Sequence, residues 1–146
     1  MDGVRAWCAA ADPPIVCVGS GDRPAVAVSG AGATADVVLF DLQLETGVLS
    51  FHTVAQLVAA GRRVVVYSQA VDDATVLRCL ELGVSTYLTK AEGREHLIPA
   101  LRAAARLRRQ RSSRSMRRSC SARATSAALV EAGRPTSAYL IRTRAM

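Results

Sequence analysis

The stretch VVLFDLQL, residues 37–44, decides how this sequence folds. Its first four residues are all apolar, which is typical of a short strand buried on both faces of a sheet. Asp41 follows them directly. In open sheets of parallel strands, ligands bind beyond the carboxyl ends of the strands. A carboxylate at that point therefore indicates a functional site at the rim of a sheet.

Three other apolar runs have the length and the flanking breakers of strands, namely residues 15–19, 62–68 and 84–89. After the last three of the four strands, apolar residues recur at helical spacing, with Gly61 and Gly83 placed as helix stops. This β-α-β-α-β-α order predicts a parallel sheet with helices on both faces. Residues 24–35 favour neither a helix nor a strand, and we leave them open.

Three polar residues fall at the ends of predicted strands. Asp41 ends one strand, Ser68 ends the next, and Lys90, the only lysine of the chain, follows the last. Because parallel strands end at the same rim, we expect a carboxylate, a hydroxyl and an ammonium group to converge there.

These residues, with Tyr87, resemble the landmarks of the receiver domain of bacterial two-component response regulators, which has a flavodoxin-like α/β fold. The resemblance covers about residues 3–105. The run GVSTYLTKAEGREHLIPALRAAA, residues 83–105, is most similar to receivers attached to LuxR-type (NarL-type) helix-turn-helix domains.

The resemblance implies a non-enzymatic signalling role. Asp41 would be the phosphoacceptor for a sensor histidine kinase, and Ser68 and Lys90 would bind the phosphoryl group. Ser68 and Tyr87 would form the switch, and Asp41 would hold Mg²⁺ together with the main-chain carbonyl of Gln43. The output of the family is transcription regulation.

The sequence departs from the family pattern at its start. Receivers begin with a central strand ending in two acidic residues, whereas residues 3–19 resemble the first helix and the second strand. We therefore expect an N-terminally incomplete sheet, from truncation or a misassigned start, with unpaired strands and weak or lost Mg²⁺ binding. Alternatively, residues 15–18 and 25–29 form a hairpin that brings Asp22 to the metal position.

The positive charge belongs to the end of the chain. Of the net charge of +7, residues 1–105 contribute −3, from eight basic and eleven acidic side chains. Residues 106–146 contribute +10, from eleven arginines and Glu131. We predict a receiver-like domain over residues 1–105 and a disordered Arg/Ser-rich tail over residues 106–146, which lacks the helix-turn-helix and whose composition is that of a shifted reading frame.

Two alternatives to phosphorelay signalling follow from these departures. The first is a phosphorylation-deficient interaction module in which the face formed by residues 73–105 binds a partner, or else a non-functional fragment. The same face could also form a homodimer. The second is non-specific nucleic-acid binding through the basic tail. The four cysteines form no metal or disulfide pattern, and neither a signal peptide nor a membrane span is indicated, so we expect a cytoplasmic protein with no membrane association.

Overall fold

The computed structural model of the chain describes residues 2–21, 24–27, 29–42, 49–115 and 138–143. Five strands and four α-helices lie within these residues, together with two short 3-10 helices, Pro24–Ala27 and Gly30–Thr34. The helices are α1 (Asp2–Ala9), α2 (Phe51–Ala59), α3 (Asp73–Glu81) and α4 (Arg94–Ser115). The strands are β1 (Ile15–Gly21), β2 (Val37–Phe40), β3 (Val64–Ser68), β4 (Thr86–Thr89) and β5 (Ala138–Thr143).

The predicted helix boundaries are confirmed where sequence signals exist. Asp72 caps α3, because its Oδ1 accepts a hydrogen bond of 2.8 Å from the amide of Thr75. Hydrogen bonding to the side chain of Thr75, together with this bond to its amide, lowers the pKa of the Asp72 carboxyl. Gly61 and Gly83 follow α2 and α3 with φ of 76° and 94°, a left-handed conformation that glycine adopts without a Cβ clash.

The sheet is mixed, which corrects the prediction of a parallel sheet. The strand order is β1-β5-β2-β3-β4. Strands β2, β3 and β4 are parallel neighbours as predicted, but β5 is antiparallel to both β1 and β2. The right-handed crossover rule governs only connections between parallel strands, so it places no restriction on β5, which pairs antiparallel with both neighbours.

The expected unpaired strands are not found among the described residues. Strand β5 lies between β1 and β2 and pairs with both of them. Residues 138–143 were predicted to lie in the disordered tail, and that prediction is wrong for this segment. Its first four side chains, from Ala138 to Ile141, are buried. Tyr139, Leu140 and Ile141 have large apolar side chains, and they pair as a strand because β1 and β2 offer free backbone edges and apolar neighbours on both sides.

Two other expectations concern the same regions. The alternative hairpin is wrong, because residues 24–27 form a 3-10 helix; Asp22, which it would have brought to the metal position, lies outside the described residues. The remainder of the predicted tail is described only as far as Ser115, where α4 ends. Residues 116–137 and 144–146 lie outside the described part of the chain.

The sheet separates two hydrophobic layers. On one face, α1 and α4 pack through residues such as Cys8, Leu97 and Leu101. On the other face, Val54 and Leu57 of α2 and Cys79 of α3 cover the strands. Strand β5 contributes to both layers, since Tyr139 and Ile141 belong to the first cluster and Ala138 and Leu140 to the second. Both halves of the core therefore depend on β5.

We expect Ile141→Ala to lower the free energy of unfolding by about 2–4 kcal/mol, because it removes a fully buried side chain from β5, an interior strand of the sheet. Arg142→Ala, one residue further along the same strand but at an exposed position, is the matched control and should cost less than about 1 kcal/mol. Urea denaturation of both variants measures the difference. Equal stability of the two variants would contradict the placement of β5 in the sheet.

Candidate functional site

An ion pair lies at the carboxyl ends of the parallel strands. Asp41 follows the last residue of β2, and Lys90 follows the last residue of β4. The Nζ of Lys90 lies 2.5 Å from Oδ2 of Asp41, and the side chains are 25% and 12% exposed. Because β3 lies between β2 and β4, the long lysine side chain reaches across the end of β3 to meet the carboxylate.

Ser68 is the last residue of β3, the strand between those that Asp41 and Lys90 follow. It is fully buried, and its Oγ accepts a hydrogen bond of 3.3 Å from the amide of Ala70. Its main-chain carbonyl accepts a bond of 2.8 Å from the amide of Lys90. The backbone of Ser68 therefore fixes where the Lys90 side chain begins, and the structure brings Asp41, Ser68 and Lys90 to one rim, as predicted.

Tyr87 lies on β4 opposite Val66 of β3. It is half-buried, and its hydroxyl donates a hydrogen bond of 2.8 Å to the carbonyl of Ala70. Ala70 is also the residue whose amide bonds to Ser68 Oγ. One short loop thus connects the predicted switch residues Ser68 and Tyr87.

The environment of Tyr87 disfavours its ionised form. Burial is the largest cause of the rise in the Tyr87 pKa above 10.0. Hydrogen bonding to Ser68 opposes the rise, while nearby negative charge adds to it, from Cys79, Asp72 and Asp41. The hydroxyl therefore remains a hydrogen-bond donor through the neutral pH range.

The loop after β4 is held by contacts that we did not predict. The Oε2 of Glu92 accepts a bond of 3.0 Å from the amide of Thr89, and the hydroxyl of Tyr67 donates to the carbonyl of Glu92 at 3.3 Å. Thr89 and Glu92 both precede α4, which begins at Arg94, so the bond closes a turn between β4 and the helix. These bonds limit the freedom of Lys90.

The described residues do not fit a magnesium site. Among them, no group of three or more His, Cys, Asp or Glu side chains is placed to hold a metal ion. Ala138 is paired with Phe40 on the strand next to Asp41, where the resemblance leads us to expect acidic residues. Mg²⁺ requires near-octahedral oxygen coordination, and the Asp41 carboxylate is already bonded to Lys90. Gln43, the other predicted ligand, lies outside the described residues.

The fold is similar to that of the signal receiver domain of the response regulator NarL from Mycobacterium tuberculosis. The sequence identity is 24% and the TM-score is 0.60, over 72% of this chain and 86% of that chain. The response regulator ChrA of a heme-sensing two-component system is similar at 23% identity and a TM-score of 0.52, over 86% of this chain and 63% of that chain. No family model and no curated protein sequence matches this chain.

These likenesses, at identities below 25%, show the fold. The chain has the α/β receiver fold of response regulators, which confirms the resemblance read from residues 37–44 and 83–105 at that level. Within the described residues, none of the helices combines the length and the apolar character needed to span a membrane.

We expect the Asp41–Lys90 pair to contribute measurably to stability. In a double-mutant cycle with Asp41→Asn and Lys90→Met, the coupling energy should be about 1–3 kcal/mol, because both side chains are largely shielded from water. The Arg78–Glu81 pair on α3, 3.7 Å apart with side chains 60% and 69% exposed, is the matched control and should give about 0.5 kcal/mol or less. Urea denaturation at neutral pH measures both cycles, and equal couplings would contradict the placement of Lys90 over Asp41.

We also expect the ionisation of Tyr87 to lower the stability of the folded protein at alkaline pH. Its folded-state pKa is above the unfolded value near 10, so its contribution to stability is fully present below pH 10.0 and is lost as the pH rises through the folded pKa. Tyr87→Phe cannot ionise and should therefore lose less stability between about pH 9 and about pH 12. Urea midpoints across this range measure the loss, and parallel curves for the two proteins would show that Tyr87 titrates normally.

Proposed function

We propose that this chain is a receiver-type signalling module, and not an enzyme, in which Asp41 accepts a phosphoryl group. The observation that supports this proposal is the contact of 2.5 Å between Lys90 Nζ and Asp41 Oδ2 at the carboxyl rim of the sheet. Asp41 and Lys90 are far apart in sequence, and a purely structural ion pair has no need of this rim. A sensor histidine kinase is the proposed phosphodonor, and transcription regulation is the proposed output.

The chemistry of transfer follows from the groups at the rim. An oxygen of the Asp41 carboxylate forms a bond to phosphorus while the donor atom on the opposite side leaves with its bonding electrons. The Lys90 ammonium, already in contact with the carboxylate, neutralises charge on the phosphoryl oxygens. Mg²⁺, where a receiver binds it, supplies further charge neutralisation, but the described residues do not form that site.

The switch proposed for Ser68 and Tyr87 uses the contacts around Ala70. In the unmodified protein, Ser68 Oγ accepts from the Ala70 amide while the Tyr87 hydroxyl donates to the Ala70 carbonyl. A phosphoryl oxygen at Asp41 offers the Ser68 hydroxyl a stronger, charged acceptor. Movement of Ser68 towards it would displace this loop and thereby release Tyr87 to a new position.

Incubation of the full chain with a small-molecule phosphodonor tests the proposal. We expect a mass gain of one phosphoryl group that is lost in Asp41→Asn and reduced about tenfold or more in rate in Lys90→Ala. Asp73→Asn, at an exposed position in the first turn of α3, is the matched control and should be modified normally. Intact-mass spectrometry over time gives the rates. Modification that persists in Asp41→Asn would contradict the assignment of the phosphoacceptor.

A second candidate function is a phosphorylation-independent interaction module. Ala138 beside Phe40 favours it, because the described rim lacks the carboxylates that assist transfer. Leu77 and Leu80 of α3 are 60% and 48% exposed, which gives the proposed partner face, residues 73–105, an apolar surface. If the phosphodonor leaves the chain unmodified, this candidate is preferred. Nucleic-acid binding through the basic tail concerns residues that lie largely outside the described part of the chain, and it stays a prediction.

A further inference from the structure

Two of the three cysteines in the described part of the chain lie on the same side of the sheet. Cys8 is in the last turn of α1, and Cys17 is the third residue of β1. Cys8 belongs to the hydrophobic layer that contains α1 and α4, and Cys17 packs against that layer. Cys79 belongs to the opposite layer. All three are free thiols, and the sheet separates one of them from the other two.

The path of the chain brings Cys8 and Cys17 together. Only residues 10–14 separate α1 from β1, so the end of the helix is close to the start of the strand. The guanidinium of Arg5, in the middle of α1, donates a hydrogen bond to Oγ of Ser20 near the end of β1. The helix and the strand therefore run in opposite directions along each other. Cys8 lies three residues after Arg5, and Cys17 lies three residues before Ser20, so this alignment places the last turn of α1 over the first residues of β1.

The two thiols are close enough to act on each other electrostatically. Burial raises the pKa of Cys8 to about 11, and the negative charge of an ionised Cys17 adds to the rise. Cys8 is only 1% exposed, whereas Cys17 is half-buried. At neutral pH, Cys8 therefore stays protonated and shielded from the solvent, and Cys17 is the thiol that a small dissolved molecule can reach.

The surroundings of the pair can adjust to the geometry of a disulfide. The Sγ of Cys17 donates to the carbonyl of Gly19 at 3.2 Å, a weak bond that a rotation of the side chain releases. The register of β1 against β5 shifts between these same two residues, so the backbone of Cys17 borders an irregular point of the strand. Cys8 lies next to the end of α1, and helix ends fray. Small movements at both positions are therefore available to align the two sulfur atoms.

We propose that Cys8 and Cys17 form a reversible redox site, at which hydrogen peroxide converts the two thiols to a disulfide. In the first step, the Cys17 sulfur forms a bond to one peroxide oxygen as the O–O bond breaks, and the thiol proton leaves with the other oxygen as water. In the second step, the Cys8 sulfur forms the S–S bond as the S–O bond of the Cys17 sulfenic acid breaks, and the Cys8 proton leaves with hydroxide as a second water. The two thiols lose two electrons, which the peroxide gains.

The disulfide fastens the first helix to the edge of the sheet. Strand β1 is at that edge, with β5 as its neighbour. A bond between α1 and β1 restrains both elements, and reduction by a dithiol releases them. The site does not use Asp41, so its oxidation is independent of phosphorylation.

Treatment of the folded full chain with hydrogen peroxide tests the proposal. Every chain in the test carries Cys120→Ser, because Cys120 lies outside the described residues. Intact-mass spectrometry without reductant should show the loss of two hydrogens in most molecules, and dithiothreitol should reverse it. Cys8→Ala and Cys17→Ala should each abolish the loss. Cys79→Ala, in the opposite layer, is the matched control and should retain it.

Dimedone, which reacts with sulfenic acids, tests the order of the two steps. We expect the dimedone adduct at Cys17 to increase about tenfold or more in Cys8→Ala, because the thiol that removes the sulfenic acid is then missing. An adduct at Cys17 that is equally abundant with and without Cys8 would overturn the proposal.

Two measurements on the chain that keeps Cys8, Cys17 and Cys79 do not depend on how the alanine variants fold. Peptide mapping without reductant should locate the disulfide between Cys8 and Cys17. Iodoacetamide added to the oxidised native protein should leave Cys79 unlabelled, because Cys79 is fully buried in the folded chain. The absence of a disulfide, a bond between other cysteines, or labelling of Cys79 at the rate at which the disulfide forms would each overturn the proposal.

Discussion

The pairing of β5 with β1 on one side and β2 on the other is the constraint on which the rest of this structure depends. Without that strand, the backbone groups along two facing strand edges would have no sheet partner, and both hydrophobic layers would lose side chains. The functional rim depends on the same pairing, because Phe40, which precedes Asp41, is paired with Ala138. The pairing of β5 with β2 therefore also holds the backbone next to Asp41.

The Asp41–Lys90 pair is a largely buried contact between opposite charges. A lysine that reaches across β3 to a mostly buried carboxylate loses hydration, and the short contact offsets much of that cost. The arrangement keeps an ammonium group next to a carboxylate, at the rim where Ser68 ends β3. It also explains why a single carboxylate is poorly suited to hold Mg²⁺, since its charge is already balanced.

Much of the fold was predictable because its signals are local. Continuous apolar runs identify β2 and β3, and Asp72 and Gly83 mark the two ends of α3. The shared rim of Asp41, Ser68 and Lys90 follows because parallel strands end on the same side of the sheet. The fifth strand was missed because arginine and serine dominate the residues before it, and because antiparallel insertion at a central position has no local signature. The run Tyr139 to Ile141 was its only sequence signal. The role of Glu92 was also missed, because its bond to the amide of Thr89 closes a turn before α4 and is not a helix cap.

The sequence by itself determined four strands and three helices within residues 15–105, the parallel order of β2, β3 and β4, and the three polar residues that end these strands. These follow from side-chain periodicity and chain connectivity, which depend on near neighbours. Only the tertiary structure decided which strand lies between β1 and β2, that Lys90 bonds to Asp41, and that Ala138 takes the place beside Phe40. Strand pairing between distant segments depends on which apolar surfaces and backbone edges remain unsatisfied after the other elements have packed, and no short stretch of sequence records that.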